Sequence, residues 1–530
     1  MKKISELNLG FIDAENYQGN ENKDLFNRIF VKNKYLDRLF LPYNYFLIGE
    51  KGTGKTAYSV FLSNNFYKDT ISETKFIRET DYEKFVTLKK EKHLQLSDYA
   101  SIWKVILLLL LSKSLKTEEL DHHAFSKSGK MKSILSAIDE YYASAFSPEI
   151  LYALDMVENN KLAAELISKY LKIGGEQSNS MTFHESRFQI NLLYIQKKFE
   201  EALSGLKLKN NHFIFIDGID VRPGEIPYSD YLDCVKGLAN AVWSLNADFF
   251  SKIKDSKGRF KVILLLRPDI FNSLSLQNAT NKLQDNSVFL DWRTTYPEYR
   301  DSELFKLADK MLNSQQIRKS EEGKSWDFYV PWKSKSNHPD RDYNPSFYKF
   351  LQLSYSRPRD IIRMLKILQG IFISKGHNEN WVFQESDFDS HEFQNQYSEY
   401  LMAGIRDQLS FYYTLEDYEL FLKFFQYLDG KIEFNYDEYV FSYKQFEEYL
   451  LTNCKDNIPE FVESVDGFLQ FLYDTNIICF VEDYEAEPLF RFCYRERSIA
   501  NISPKVKTKE RYIIHYGLAK ELNVGRGKRK

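Results

Sequence analysis

The segment Gly49–Thr56 constrains the fold of this chain more than any other part of its sequence. It reads GEKGTGKT and matches the pattern G-x-x-x-x-G-K-[ST] in full. The apolar run Tyr45–Ile48 precedes it and predicts a buried strand, while Ala57–Asn65 has helical composition. A strand, a glycine-rich loop and a helix in this order predict a phosphate-binding loop in an α/β fold.

Each residue type in this loop has a chemical role in binding a nucleoside triphosphate. Glycines let the backbone N–H groups approach the phosphates without a Cβ in the way. Lys55 is expected to contact the β- and γ-phosphates, and the Thr56 hydroxyl to bind Mg²⁺. The predicted ligand is therefore ATP with Mg²⁺. The residues expected to contact it are Gly49, Gly52, Thr53, Gly54, Lys55, Thr56 and Ala57.

A second apolar strand followed by two carboxylates is the next expected part of this site. Phe213–Ile216 is apolar, Asp217 follows it directly, and Asp220 lies three residues later. Asp217 is expected to hold the magnesium ion, and Asp220 to orient the attacking water as a general base. The alternative role of Asp220 is a cap on the following turn.

Arg267 is the first of several arginines that are candidates to contact the γ-phosphate. It follows Lys261–Leu266, an apolar run that predicts another buried strand. A charge at the carboxyl end of a buried parallel strand faces the ligand crevice, where Arg267 would stabilise transition-state charge. The alternative is an ion pair with a nearby acid such as Asp269.

Arg359 is a second arginine expected at the nucleotide. It lies in Ser356–Asp360, where a proline in the first turn predicts the start of a helix. From there Arg359 would reach back to the nucleotide and couple its state to domain closure. The alternative is a surface helix start with an acid in its first turn. Arg222 and Arg293 are weaker candidates for a finger that acts on a neighbouring subunit.

The order of apolar runs and helical patterns predicts the fold class. Two shorter runs, Lys75–Arg78 and Val288–Leu290, predict further strands, and helical patterns lie between the strands. Strands that alternate with helices predict an α/β fold, with a parallel sheet covered on both faces.

Four regions are predicted along the chain. Residues 1–40 form a leader, 41–300 a core with the parallel sheet, 301–400 a mainly helical region and 401–530 a mixed α and β region. Within the core, the stretch from about 85 to 205 is poor in Gly and Pro, which predicts a helical insertion.

Composition and charge exclude several functions. The formal net charge of the 530 residues is −3, so the whole molecule is not a general polyanion binder. Its four cysteines form no CxxC pair and no zinc-spaced cluster, which predicts reduced thiols. The longest apolar stretch, Val105–Leu111, is far shorter than the ~20 residues that span a bilayer, and the N-terminus lacks the apolar run of a signal peptide. A cytoplasmic protein with no membrane partner is expected.

The basic tail Lys505–Lys530 leaves two interpretations open. It holds nine Lys or Arg against two Glu. Such a tail either contacts nucleic-acid phosphates or is a solvated terminus. The run Asp121, His122 and His123 is expected to lie exposed in a loop rather than to bind a metal.

Four motifs in fixed order resemble known families. The sequences GEKGTGKT, FIFIDGID, KVILLLRPDIF and SRPRDIIRMLK, within residues 40–370, resemble the STAND class of signalling ATPases. They also resemble its neighbours, the KAP-like and origin-recognition-like AAA+ ATPases, and above all bacterial P-loop ATPases carried in mobile or phage-defence loci. The resemblance implies a nucleotide-switched ATPase domain, a helical lid in residues 301–400 and a C-terminal winged-helix domain in residues 401–530.

Three functions follow from the motifs and the resemblance. The first is a Mg²⁺-dependent ATP-hydrolysing switch in bacterial defence or signalling, which acts as a homo-oligomer or with a separately encoded effector or sensor. The second is a DNA-binding AAA+ ATPase of the origin-recognition type, with DNA contacted through the C-terminal region. The third is a scaffold that binds nucleotide without hydrolysing it.

Overall fold

The computed structural model of the chain describes most of its residues. The described stretches are 1–77, 96–115, 185–222, 226–335, 342–376, 380–454, 458–484 and 487–525, with the single positions 133, 136 and 137. Most of the predicted insertion, including Asp121, His122 and His123, lies outside the described residues, as does the end of the basic tail.

Strands are numbered in chain order within the described residues. They are β1 Phe46–Ile48, β2 Thr70–Phe76, β3 Asn211–Asp217, β4 Phe260–Leu266, β5 Ser287–Phe289, β6 Lys333–Lys335, β7 Tyr343–Pro345, β8 Glu433–Asn435, β9 Ile478–Tyr484, β10 Glu487–Phe492 and β11 Arg511–Ile514.

The α-helices are numbered in the same way. They are α1 Asn20–Ile29, α2 Lys34–Leu39, α3 Lys55–Asn64, α4 Leu96–Ser114, α5 Glu185–Ser204, α6 Tyr228–Ser244, α7 Pro268–Ser273, α8 Ala279–Asp285, α9 Glu303–Asn313, α10 Lys324–Tyr329, α11 Ser346–Leu353, α12 Pro358–Ser374, α13 Glu385–Phe388, α14 His391–Leu409, α15 Leu415–Phe424, α16 Tyr436–Asn453, α17 Val465–Asp474 and α18 Cys493–Glu496.

The chain divides into two compact units. Unit 1 contains Met1–Asn33, Glu50–Gly54 and Leu290–Lys530, and unit 2 contains Lys34–Gly49 and Lys55–Phe289. The ends of the glycine-rich loop thus group with unit 2, and its five central residues group with unit 1.

Unit 2 contains a five-stranded parallel sheet with the order β2-β3-β4-β1-β5. Ile48 pairs with both Leu266 and Phe289, so the carboxyl ends of three neighbouring strands lie side by side. Every residue of β1 and β4 is buried, as expected for a parallel sheet covered on both faces. The predicted α/β fold with a parallel sheet is confirmed.

The predicted strands differ in how well their positions were anticipated. Those at Tyr45–Ile48 and Lys261–Leu266 begin within one residue of β1 and β4. The strand predicted at Lys75–Arg78 was wrong in position, because β2 ends at Phe76 and begins at Thr70. Small polar residues, among them Thr70, are buried in β2, so its sequence carries little apolar signal.

Helices α4 and α6 of unit 2 pack closely together because of one glycine. Helix α4 is apolar on nearly every side, and most of its described side chains are buried. A Cβ placed on Gly237 of α6 would lie 2.5 Å from the Cβ of Tyr99 and 3.1 Å from the backbone nitrogen of Ala100. Only glycine allows the two backbones to approach this closely.

Unit 1 holds the N-terminal residues against its helices. The side chain of Gln369 in α12 donates to the backbone oxygens of Ile4 and Leu7, at 2.8 and 2.7 Å. The backbone nitrogen of Lys2 donates to the side chain of Gln316, also at 2.8 Å. The start of the predicted leader is therefore fixed through its own backbone groups.

The C-terminal part of unit 1 combines helices α15 to α17 with a four-stranded antiparallel sheet of order β10-β9-β11-β8. Its interior is rich in stacked aromatic rings. The rings of Phe461 and Phe471 are almost parallel at a centroid distance of 4.6 Å, and Phe424 meets Phe468 edge-on at 4.8 Å. The high aromatic content of the chain serves packing here.

Adding one methyl group tests the close packing of α4 on α6. We expect Gly237→Ala to lower the free energy of unfolding by about 1–3 kcal/mol, because backbone atoms must move to admit the Cβ. Gly370→Ala in α12 is the matched control, since a Cβ there would meet no described atom within 4 Å apart from its chain neighbours and the nearby backbone of its own helix. That change should raise stability by about 0.5–1 kcal/mol. Denaturant unfolding in which Gly237→Ala is as stable as Gly370→Ala would contradict the packing described.

Candidate functional site

The glycine-rich loop lies between a strand and a helix, as predicted. Strand β1 ends at Ile48 and helix α3 begins at Lys55. The Lys55 ammonium donates to the backbone oxygen of Gly49 at 2.8 Å, and only 8% of the Lys55 surface is exposed. The first N–H groups of α3 have no acceptor within their own helix, which makes a helix start attractive to anions.

Thr56 and Asp217 lie in direct contact in unit 2. The Thr56 hydroxyl donates to the Oδ2 atom of Asp217 at 2.6 Å. The other carboxylate oxygen accepts from the backbone nitrogen of Gly218 at 2.8 Å. The two residues predicted to hold the metal are thus brought together, although 161 positions separate them in the sequence.

The turn after β3 is fixed by glycine and tyrosine. Gly218 has a φ of +87°, and a Cβ there would lie 2.5 Å from the backbone oxygen of Ile77. The Tyr231 hydroxyl donates to the backbone oxygen of Ile219 at 2.6 Å. Asp220 follows in the same turn, close enough for its charge to raise the pKa of Asp217. Both predicted carboxylates therefore belong to one locality.

Burial sets the protonation of Asp217. Removal from water raises its pKa to about 6, against the opposing effects of the hydrogen bond from Thr56 and the charge of Lys55, while repulsion from Asp220 adds to the rise. At neutral pH the carboxylate is still ionised. A bound cation would stabilise this charged form further.

The donor set suits magnesium. A hydroxyl and a carboxylate are the hard oxygen ligands that Mg²⁺ prefers, and Mg²⁺ usually takes its remaining ligands from water and substrate phosphates. Within the described residues no three His, Cys, Asp or Glu side chains cluster in a way that could hold a metal ion. Thr56 and Asp217 would therefore hold Mg²⁺ together with a nucleotide, not in an all-protein cage.

Arg267 forms the ion pair that was its alternative role. Its Nε and Nη2 atoms donate to the two carboxylate oxygens of Asp269 at 3.1 and 2.8 Å. The residue is 1% exposed and directly precedes α7. A two-point contact of this kind orients a guanidinium firmly. Contact between Arg267 and a γ-phosphate stays a prediction.

The centre of the loop is held by side chains and backbone of unit 1. The indole nitrogen of Trp292 donates to the backbone oxygen of Thr53 at 2.8 Å. The Nη1 atom of Arg357 donates to the backbone oxygen of Lys51 at 2.9 Å. The backbone nitrogen of Arg359 donates to the backbone oxygen of Gly52 at 3.3 Å. Three successive loop carbonyls are therefore bound.

The two charged side chains of the loop centre are also paired within unit 1. The Arg497 guanidinium, almost fully buried, donates to the carboxylate of Glu50. The Lys51 ammonium lies 2.7 Å from the carboxylate of Asp407. The acid in the loop is thus neutralised, and Lys51 is directed to a partner on α14.

The two weaker arginine candidates are bound to backbone groups. Arg222 donates to the backbone oxygen of Ile226 and is buried. Arg293 pairs with Asp291 and donates to the backbone oxygen of Arg495. Action of either on a neighbouring subunit stays a prediction.

Trp292, Arg357 and Arg497 are the loop contacts that the sequence did not indicate. Trp292 follows β5 without any motif, and Arg497 follows the short helix α18. Arg357 lies in the run SRPRD, where the sequence pointed to Arg359 instead. Of these three contacts, only that of Arg357 had an indication in the sequence, namely the charged start of a predicted helix.

Helix α17 has an acidic composition and contacts the chain just before and within the basic tail. Its sequence, VDGFLQFLYD, contains two Asp and no Lys or Arg. The side chain of Gln470 binds the backbone of Pro504 and Val506, at 3.1 and 3.0 Å. The chain around the start of the basic tail, at Pro504 and Val506, therefore contacts α17 through Gln470.

No protein-family model matches the chain, and no curated protein matches it either. No helix in the described part of the chain is both long enough and apolar enough to cross a membrane.

The raised pKa of Asp217 predicts how stability depends on pH. Between about pH 4 and pH 6 the folded protein keeps a proton that the unfolded chain has released, so the stability of the ligand-free protein should fall as pH rises. Asp217→Asn should remove this slope and be more stable at pH 7 by about 3 kcal/mol. Denaturant midpoints measured across this range provide the test.

The control for that prediction is Asp233→Asn in α6, which should keep the slope of the unmodified protein. If Asp217→Asn shows the same pH dependence as Asp233→Asn, the carboxylate of Asp217 is not buried as described.

Proposed function

We propose that the chain binds ATP with Mg²⁺ at the loop Gly49–Thr56 and hydrolyses it to ADP and phosphate. The observation that carries this proposal is the 2.6 Å hydrogen bond between Thr56 and Asp217. It joins the last residue of the loop motif to the acid at the end of β3, where a nucleotide-bound metal needs two oxygen ligands.

The chain's own residues divide the work of phosphate binding. Lys55 would leave the backbone oxygen of Gly49 and donate to the β- and γ-phosphates. The start of α3 adds backbone N–H groups and the positive end of the helix dipole. Thr56 and Asp217 would hold Mg²⁺, which would supply positive charge to the phosphate oxygens.

The remaining residues would act on the bond that breaks. Asp220 accepts a proton from the attacking water and orients it. Arg267, kept in a fixed orientation by Asp269, stabilises the negative charge that develops on the transferred phosphoryl group. The Arg359 side chain contacts the nucleotide from the first turn of α12, where the backbone nitrogen of Arg359 already donates to Gly52.

We further propose that ATP turnover drives a switch. The contacts of Trp292, Arg357 and Arg497 with the loop supply a physical route by which the lid and the C-terminal region of unit 1 respond to nucleotide. In the bacterial defence role that the resemblance implies, the switch acts as a homo-oligomer or on a separately encoded effector or sensor.

DNA binding is the weaker function for the C-terminal region. The order of α15, β8, α16, α17, β9 and β10 supports the proposed winged-helix domain. Recognition helices of DNA-binding domains usually carry basic side chains to phosphates, and α17 carries two Asp instead. This composition favours a protein partner for the domain.

Replacing the loop lysine tests nucleotide binding. We expect Lys55→Ala to raise the Kd for ATP with Mg²⁺ about 100-fold, because a charged donor to the phosphates is lost. Lys51→Ala is the matched control from the same loop. Its side chain is paired with Asp407, so the Kd should change by no more than about threefold. Equal Kd values for the two variants would refute the site.

Replacing Asp220 tests the hydrolytic step separately. Asp220→Asn should keep the Kd for ATP but reduce kcat by about 100-fold or more, since the attacking water loses its general base. Asp233→Asn serves as the control, with unchanged turnover expected. Phosphate release by Asp220→Asn at the rate of the unmodified protein would remove the role assigned to this carboxylate.

A further inference from the structure

Trp292 and Arg357 bind two backbone oxygens of the loop centre from within unit 1. Trp292 donates to Thr53 O at 2.8 Å, and Arg357 donates to Lys51 O at 2.9 Å. Neither contact involves a group that the proposed hydrolysis uses. Both are side-chain contacts to a backbone that must adopt one special shape for phosphate binding.

The direction of a loop carbonyl sets the direction of the next N–H group. In a planar trans peptide the C=O of one residue and the N–H of the following residue point opposite ways. The bond to Lys51 O therefore orients the N–H of Gly52, and the bond to Thr53 O orients the N–H of Gly54. Both glycines have positive φ, +89° and +93°, so side-chain sterics do not fix these peptides.

The Trp292 contact is rigid. The Trp292 side chain is buried, with 6% of the residue exposed. A buried indole N–H without an acceptor costs free energy, because it has lost its hydrogen bond to water. The acceptor it has is the oxygen of Thr53. Rotation of this peptide would leave a buried donor without its partner, which holds the peptide in place.

The Arg357 contact is equally constrained. Two of its nitrogens bind the carboxylate of Asp360 at 3.0 and 2.9 Å, and Asp360 is fully buried. The same carboxylate accepts from the Tyr400 hydroxyl and from the backbone nitrogen of Tyr355. Because two nitrogens of the Arg357 guanidinium are bound to this carboxylate, the third nitrogen, Nη1, is held in a fixed place beside Lys51 O.

We propose that Trp292 and Arg357 are positioning residues for the phosphate loop, which aim the N–H groups of Gly54 and Gly52 at the nucleotide phosphates by holding the preceding carbonyls. This inference rests on the proposed ATP-binding function and extends it. Neither residue touches the nucleotide in this role. They act by keeping an anion-binding backbone assembled before the ligand arrives.

The test removes the indole N–H donor and leaves a smaller aromatic ring in its place. Trp292→Phe should raise the KM and the Kd for ATP with Mg²⁺ about 3- to 10-fold, with kcat within about twofold, because loop N–H groups bind ground state and transition state alike. Trp326→Phe is the matched control. Trp326 is also buried in unit 1, and its indole donates to the Ser346 hydroxyl at 3.2 Å, away from the loop.

A second pair of variants tests the guanidinium fork. Arg357→Lys keeps the positive charge but cannot bind Asp360 and Lys51 O with the same geometry, so the Kd should again rise about 3- to 10-fold. Arg300→Lys is its control, because Arg300 forms a two-point contact with Asp327. That control should bind ATP as the unmodified protein does.

The outcomes separate the inference from the function it rests on. If the unmodified protein binds no ATP, the proposed function fails. If it binds ATP and Trp292→Phe and Arg357→Lys match their controls in Kd, the positioning role alone is refuted. A fall in kcat at unchanged KM would also refute it, since the loss would then lie in the chemical step.

Discussion

The hydrogen bond between the Thr56 hydroxyl and Asp217 is the contact on which the proposed chemistry depends. It joins the first turn of α3 to the end of β3, and β4 lies between β3 and β1, the strand that precedes the loop and α3. A parallel sheet brings the carboxyl ends of its strands to one edge, so the contact requires that topology. A shift of β3 by one residue would turn Asp217 to the other face of the sheet.

The loop, the acid strand and the parallel sheet could be predicted because each is encoded locally. Glycines at fixed spacing define the loop, and four apolar residues before Asp217 define a buried strand. Strand β2 was misplaced because polar side chains, including Thr70, take buried positions in it. The Arg267–Asp269 pair was foreseen only as an alternative, since two residues so close can point together or apart.

The contacts that hold the loop centre could not be predicted from spacing. Trp292 is 239 positions from Thr53 and Arg357 is 306 positions from Lys51, so nothing in the local sequence links them. Their roles also depend on which nitrogen of a side chain faces which carbonyl. A buried tryptophan or arginine is ordinarily explained by packing or by one ion pair. Here Trp292 and Arg357 also donate to backbone oxygens of the glycine-rich loop, in addition to the ion pair of Arg357 with Asp360.

A calorimetric titration of the purified chain with ATP, with and without Mg²⁺, tests the central claim most directly. We predict one ATP bound per chain, with an affinity that rises markedly when Mg²⁺ is present, because Thr56 and Asp217 add metal ligands to those of the phosphates. Saturable binding that is indifferent to Mg²⁺, or no binding at all, would contradict it.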